Sequence, residues 1–335
     1  MRKAYIKAIS YYLPEKQLTN ELLVAEFPEW TAEKVAKKIG VSVRHISAAD
    51  ETASDMAFAA AQKLFADHQI NPETIDFVML CTQSPDYFLP TSACVLQNRL
   101  GIPTKSGAVD FNLGCSGFVY GLAIAKGLLV SGVAKNILLL TAETYSKYLH
   151  PKDKANRTIF GDGASATLVS SEGFAEIMEF SLGTDGSGAD RLIVKSGGLR
   201  SPEKINDLTF DESGNPLSSD HLFMDGTGIF NFTLDMVPLL VDDTLSANNL
   251  NKEDINQFVF HQANKYLMSF LRKKIQIPEE KFYYYLDLVG NTVSSTIPIA
   301  LCEAQKDATI KSGDLVLLAG FGVGYSWGGT ILKFQ

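Results

Sequence analysis

Asn71-Pro-Glu-Thr-Ile-Asp-Phe-Val-Met-Leu-Cys-Thr-Gln-Ser84 and Asn251-Lys-Glu-Asp-Ile-Asn-Gln-Phe-Val-Phe-His-Gln-Ala-Asn264 are two versions of one pattern. Each opens on an asparagine that caps a turn with early acidic residues, then runs into a short apolar strand that ends in polar residues. Each also follows a helix-like stretch, ending Gln62-Lys-Leu-Phe-Ala-Asp-His68 in one case and reading Val241-Asp-Asp-Thr-Leu-Ser-Ala-Asn-Asn249 in the other. The offset of about 180 residues is half the chain, so this is a duplicated domain and not a solenoid.

Two more pairs keep nearly the same offset. Asn136-Ile-Leu-Leu-Leu-Thr141 matches Asp314-Leu-Val-Leu-Leu-Ala319, and Gly114-Cys115 before an apolar helix matches Gly290-Asn291 before another. Continuous apolar strands alternating with helices indicate sheets buried on both faces. The pattern predicts two similar α/β halves, 1–172 and 173–335, joined near Ser170 to Glu176.

The bulk properties fit one large or two ordinary domains: 335 residues, 46% apolar, 38 acidic and 30 basic side chains. A net charge of −8 disfavours a protein built to grip nucleic acid, which needs clustered Lys and Arg. The apolar runs are short of the ~20 residues a membrane span requires, and Lys7 interrupts any secretory leader, so a cytoplasmic protein without membrane attachment is expected. Cys81, Cys94, Cys115 and Cys302 show no C-x-x-C spacing, so no metal is expected. Gly197 to Leu222 reads as a long surface loop with a hairpin at Gly214-Asn-Pro216, and Thr31 to Lys38 as a charged helix.

Cys115 stands between Gly114 and Gly117 at the start of an apolar helix, where free backbone N–H groups and the helix dipole favour a thiolate. The competing reading is a small buried cysteine beside packing glycines. Of five histidines, only His261 ends a buried strand, where α/β sheets bind ligands. Asn291 opens the predicted helix Thr292–Ala300 opposite Cys115 in the repeat; alone it reads as an ordinary N-cap. Packed about a pseudo-twofold axis, the halves bring Cys115, His261 and Asn291 to one seam. Gly320-Phe-Gly-Val-Gly-Tyr-Ser-Trp-Gly-Gly329 allows the close backbone approach that an oxyanion hole requires. No dinucleotide fingerprint, P-loop, Gly-x-Ser-x-Gly or His-Glu-x-x-His occurs.

Gly114-Cys-Ser-Gly-Phe118, His261-Gln-Ala-Asn264, Gly290-Asn-Thr292 and Gly320–Gly328, with Leu89-Pro-Thr-Ser-Ala-Cys94 and Phe160-Gly-Asp-Gly-Ala164, resemble β-ketoacyl-acyl-carrier-protein synthase III over nearly the whole chain. The resemblance implies a thiolase-like five-layered αβαβα fold and a homodimeric acyltransferase of fatty-acid biosynthesis or a specialised lipid or polyketide pathway. It implies acyl-CoA and a malonyl-acyl carrier protein, each bearing phosphopantetheine, as substrates, with no permanently bound cofactor. Cys115 would accept the acyl group, the backbone N–H groups of Cys115 and Val323 would form the oxyanion hole, and His261 and Asn291 would stabilise the enolate left by decarboxylation. Trp30, Lys154, Arg157, Thr227, Phe230 and Asn264 match coenzyme A and pantetheine positions, and Leu89 matches the residue each subunit lends to its partner's acyl pocket. Lys265, Arg272, Lys273 and Lys274 form a basic helix face for an acidic carrier protein.

Three departures surround the entrance. Lys154 stands where the family carries an arginine, Val323 replaces a glycine, and the stretches after Trp30 and at 197–222 are longer. Lysine lacks arginine's planar fork, so donor selection is expected to differ. Two other readings remain: acyl transfer from coenzyme A to an alcohol or amine without condensation, and an inactive acyl-binding subunit.

Overall fold

The computed structural model describes residues 2–27 and 29–335. Its principal strands are β1 (Tyr5–Tyr12), β2 (Phe77–Cys81), β3 (Gly107–Phe111), β4 (Ile137–Glu143), β5 (Gly163–Ser170), β6 (Ala175–Thr184), β7 (Gln257–Phe260), β8 (Leu315–Gly322) and β9 (Ser326–Phe334). The helices are α1 (Asn20–Glu26), α2 (Ala32–Ile39), α3 (Ala53–Asp67), α4 (Ser92–Arg99), α5 (Gly117–Ser131), α6 (Lys154–Arg157), α7 (Gly226–Ala247), α8 (Lys265–Ile275) and α9 (Thr296–Lys306).

The strand order is similar in the two parts of one nine-stranded sheet. In the first half it runs β1-β5-β4-β2-β3, with β2 parallel to both β3 and β4 and the other pairs antiparallel. In the second half it runs β6-β9-β8-β7, with β7 parallel to β8, and Phe282 forms a parallel bridge to Phe258 where a counterpart of β3 would lie. The two half-sheets join into one nine-stranded sheet through Tyr5↔Glu176 and Ile6↔Ala175.

Alternation along the apolar strands explains why neither sheet exposes a face. From β4, Ile137 and Leu139 enter a central core, whereas Leu138 and Leu140 point outward to α3, where Met56, Ala60 and Leu64 cover them. From β8, Val316 and Leu318 point inward, while Leu317 and Ala319 face Leu240, Val241 and Leu271 of α7 and α8. The central layer is made of α5 and α9, which contribute Phe118, Val119, Leu122, Ile297, Ala300 and Leu301 to a core shared by both sheets. Helix, sheet, helix, sheet, helix is the layered architecture expected from the sequence. A period-2 strand with helices on both sides must be apolar at every position.

Local signals fix the ends of these elements. Thr52 and Asp55 form a capping box on α3, Asn264 caps α8 through Leu267, and Gly132 ends α5 in the left-handed conformation at φ 80°. The hairpin at Gly214 is present, pairing Thr209–Phe210 with Pro216–Leu217. The helix expected over Thr292–Ala300 starts later: Val293–Ser295 form a single 3₁₀ turn and α9 begins at Thr296. The cause is local, because Val293 adopts φ 55°, outside the helical region, while its N–H is bound by the Asn291 side chain.

Truncating Leu139 of β4, wholly buried against the central layer, should cost about 2–5 kcal/mol of stability. Leu22→Ala, at a side chain 53% exposed, should cost below about 1 kcal/mol. Denaturant unfolding midpoints of the two variants check the ranking.

Candidate active site

The central layer presents two element starts to one cavity. Cys115 and Ser116 precede α5, and Asn291 precedes the turn that leads into α9. The end of β7 adds His261, and the end of β8 adds Phe321, Gly322 and Val323. Cys115, Asn291, His261, Phe321, Gly322 and Val323 line a cavity of about 110 Å³.

Its floor is set by an unusually close backbone approach. A Cβ on Gly322 would lie 2.8 Å from Cys115 Cβ and 2.9 Å from Cys115 Sγ, and one on Gly320 would lie 2.9 Å from the Cys115 carbonyl oxygen. Only hydrogen at these positions lets β8 touch the turn that carries the thiol. The backbone N–H groups of Cys115 and Val323 both bear on the sulfur and favour its anion. Burial opposes them more strongly, and with repulsion from Glu143 it pushes the thiol up to about 12. The sequence-based expectation of a lowered thiol pKa is therefore corrected: the helix start is present, but water is excluded from it.

His261 is 2% exposed, and burial lowers its imidazole to about 3, so the ring is neutral. Its Nδ1 lies 2.7 Å from Thr296 Oγ1, which also lies 3.0 Å from the Val293 carbonyl. The single Thr296 hydroxyl proton goes either to the Val293 carbonyl, with Nδ1–H donating to Thr296, or to Nδ1, which leaves the ring proton on Nε2. Asn291 Oδ1 accepts from Val293 N–H at 2.9 Å, which leaves its Nδ2 as the free end. Its main chain is paired on both sides, N–H to Ile159 O at 2.9 Å and C=O from Gly161 N–H at 3.0 Å. Imidazole and carboxamide thus reach the cavity as fixed, uncharged groups, and in the Nε2–H tautomer both are donors.

Sequence reasoning missed Glu143. It closes β4, is wholly buried, and accepts from Gln83 N–H, Ser84 Oγ and Ser294 Oγ at 3.0–3.2 Å. Burial raises its carboxyl to about 8. A lone acid closing an otherwise apolar strand was the available signal. Thr296 gave none.

The remaining positions divide. Phe230 and Asn264 line the cavity, while Thr227 at the start of α7 is exposed and does not. Trp30 lies half-buried in the turn between α1 and α2. Lys154 and Arg157 are not free: Lys154 pairs with Glu29, and Arg157 grips Glu26 through two bonds of 2.7 and 3.0 Å. They clamp the Trp30 segment onto α6. Arg272 also turns away from the basic face, to Ile277 O and Glu279, and Lys274 lies 3.7 Å from Asp235. Lys265 and Lys273 remain exposed without an ion pair among the described residues. Beside them Tyr266 and Phe270 are exposed and pack on Phe230 at ring separations of 5.9 and 5.7 Å, an aromatic rim that sequence alone did not suggest. Leu89, with Tyr87 and Phe88, lies exposed on the first half.

A fold of this kind with Cys, His and Asn on one cavity defines a condensing enzyme of the thiolase type. Models of 3-oxoacyl-[acyl-carrier-protein] synthase III match residues 109–186 and, for its C-terminal part, 245–334. The β-ketoacyl-[acyl-carrier-protein] synthase III of Clostridium perfringens is 36% identical over 99% of this chain and 100% of its own. A crystal structure of a 3-oxoacyl-(acyl-carrier-protein) synthase III superposes with TM-score 0.97 at 50% identity, covering 99% of this chain and 100% of the other. The priming β-ketosynthase of the R1128 polyketide pathway superposes with TM-score 0.85 at 26% identity, covering 100% and 97%. The chain belongs to the β-ketoacyl-acyl-carrier-protein synthase III family.

Glu143 gives the site a pH signature in stability. A carboxyl near 4.5 when unfolded and about 8 when folded holds its proton only in the folded state between those values. Its contribution is full below about pH 4.5 and declines as pH rises through about 8. Thermal melts between pH 5 and pH 8 should show wild type losing stability as pH rises, and Glu143→Gln losing distinctly less. Parallel curves would contradict this.

Proposed function

We propose that the protein catalyses decarboxylative condensation of an acyl-CoA primer with a malonyl-carrier protein, releasing CoA, carbon dioxide and β-ketoacyl-carrier protein. The observation that carries the roles is the meeting of Cys115, His261 and Asn291 on one cavity, with two backbone N–H groups aimed at the sulfur.

In the first half-reaction Cys115 Sγ attacks the acyl-CoA carbonyl. The Cys115 and Val323 N–H groups receive the oxyanion, and CoA leaves as the thiol. A thiol held near 12 gives up its proton as the acyl carbonyl is attacked, the proton passing to the departing CoA sulfur. Below about pH 8 Glu143 is uncharged, so its repulsion is relieved. In the second half-reaction the malonyl thioester oxygen lies against His261 Nε2–H and Asn291 Nδ2. Loss of carbon dioxide places negative charge on that oxygen, where preorganised neutral donors stabilise it. The enolate carbon then attacks the acyl-Cys115 carbonyl, and the thiolate is expelled. Neither step requires a bound cofactor, since both thioesters bring their own phosphopantetheine.

Lys265 and Lys273 are the cations left to meet an acidic carrier, beside the aromatic rim at the mouth of the cavity. Strand β3 ends the sheet unpaired on one side, and Tyr87, Phe88 and Leu89 are exposed nearby, which supports a homodimer through this face. No helix among the described residues is long and apolar enough to cross a membrane. Simple transfer to an alcohol or amine is the weaker reading, because it leaves the paired His261 and Asn291 donors without an enolate to stabilise.

Intact-mass measurement after mixing with acetyl-CoA should show an adduct on wild type that Cys115→Ala lacks. His261→Ala and Asn291→Ala should retain the adduct while losing about 10²-fold or more in carbon dioxide release from malonyl-carrier protein. Unchanged release in either would contradict its role. The pH–rate profile of carbon dioxide release should show no acid limb near 6.5, because burial holds His261 neutral far below that. Thr296→Val should slow release, with Thr296→Ser restoring it; equal rates in all three would remove Thr296 from the positioning of His261.

A further inference from the structure

The cavity at Cys115 is small, and two side chains outside the catalytic set stand between the Cys115 turn and a larger groove. The cavity that holds Cys115 encloses about 110 Å³. A separate groove of about 970 Å³ runs along Leu89, Phe88 and Tyr148. The two spaces share Leu192 and Val323 as a common wall. Cys115 lines only the cavity; Gln83 and Tyr145 line only the groove.

On the groove side of that wall, next to Gly114, stands a held pair. Gln83 Oε1 lies 2.6 Å from where a Cβ on Gly114 would be, so its amide fills the space beside the residue that precedes the nucleophile. Tyr145 is 3% exposed, packs in one apolar cluster with Cys115, and donates its hydroxyl to Gln83 Oε1 at 2.5 Å. The other end of the amide donates to Asn112 Oδ1 at 3.1 Å. The Gln83 main chain is fixed as well, its N–H on Glu143 and its carbonyl on the Tyr148 hydroxyl at 2.7 Å. An alkyl chain running from Cys115 toward the groove must displace this amide. That strips the buried Tyr145 hydroxyl of its acceptor, a penalty of roughly one to two orders of magnitude in an equilibrium constant.

We propose that the Tyr145–Gln83 pair is a gate that restricts the acyl donor to short acyl-CoA thioesters. The proposal rests on the reading of Cys115 as the acyl acceptor. In the step it controls, the C–S bond to CoA breaks, a C–S bond to Cys115 Sγ forms, and the cysteine proton leaves with the CoA thiol. The carbons beyond the carbonyl are what meet the gate.

Loading rates of acetyl-, butanoyl- and octanoyl-CoA, measured by intact mass on wild type, Gln83→Thr and Tyr145→Phe, test it. Wild type should load acetyl about 10-fold or more faster than octanoyl, and Gln83→Thr should shrink that ratio about 10-fold by opening the wall. Tyr145→Phe, which removes only the hydroxyl, should shrink it less. Octanoyl loading as fast as acetyl in wild type, or a ratio unchanged in both variants, would overturn the gate while leaving Cys115 as acceptor. Absence of an adduct from every donor on folded wild type would overturn the underlying reading, and the gate with it.

Discussion

The contact between the end of β8 and the turn at Cys115 is the constraint from which the rest of the site follows. Gly320 and Gly322 press their backbone against the turn so closely that a single Cβ would collide with it. That contact exists because α5 and α9 are buried between two sheets, one from each half, and share one core. It places the Val323 N–H on the sulfur and brings the ends of β7 and β8 to the same cavity. One cavity therefore gathers a thiol from the N-terminal part of the chain and a neutral imidazole and carboxamide from the C-terminal part.

Burial sets the electrostatics of this seam, and it acts on every group in the same direction, against charge. It holds Cys115 as a thiol, His261 as a neutral ring and Glu143 as a protonated acid through much of the neutral range. For an enzyme whose charge appears only transiently, on two successive oxyanions, a site without resident charge is suited to the task. Fixed N–H donors stabilise each anion without a competing ion to displace.

Much of the fold was legible because its cause is periodic. The pairs at Asn71 and Asn251 and at Asn136 and Asp314 mark strands apolar on both faces, and they occupy equivalent places in the two half-sheets. Cys115, His261 and Asn291 were legible because each sits at the end of such an element. What escaped was set by tertiary neighbours. The delayed start of α9 depends on one valine at positive φ, and the engagement of Lys154, Arg157 and Arg272 by nearby carboxylates depends on segments distant or looped in sequence. Thr296, Gln83 and Tyr145 carry no pattern at all; their contacts, Thr296 with His261 and Tyr145 with Gln83, join residues distant in sequence and exist only in the folded chain.

The account stands on one site performing two coupled half-reactions. Its most direct test is a single turnover in which enzyme preloaded with a labelled acetyl group meets malonyl-carrier protein, with loss of acetyl-Cys115, carbon dioxide and the β-ketoacyl product followed together. The account predicts that all three change in equal amounts. Acetyl transfer without carbon dioxide, or carbon dioxide released while the acetyl group stays on Cys115, would contradict it.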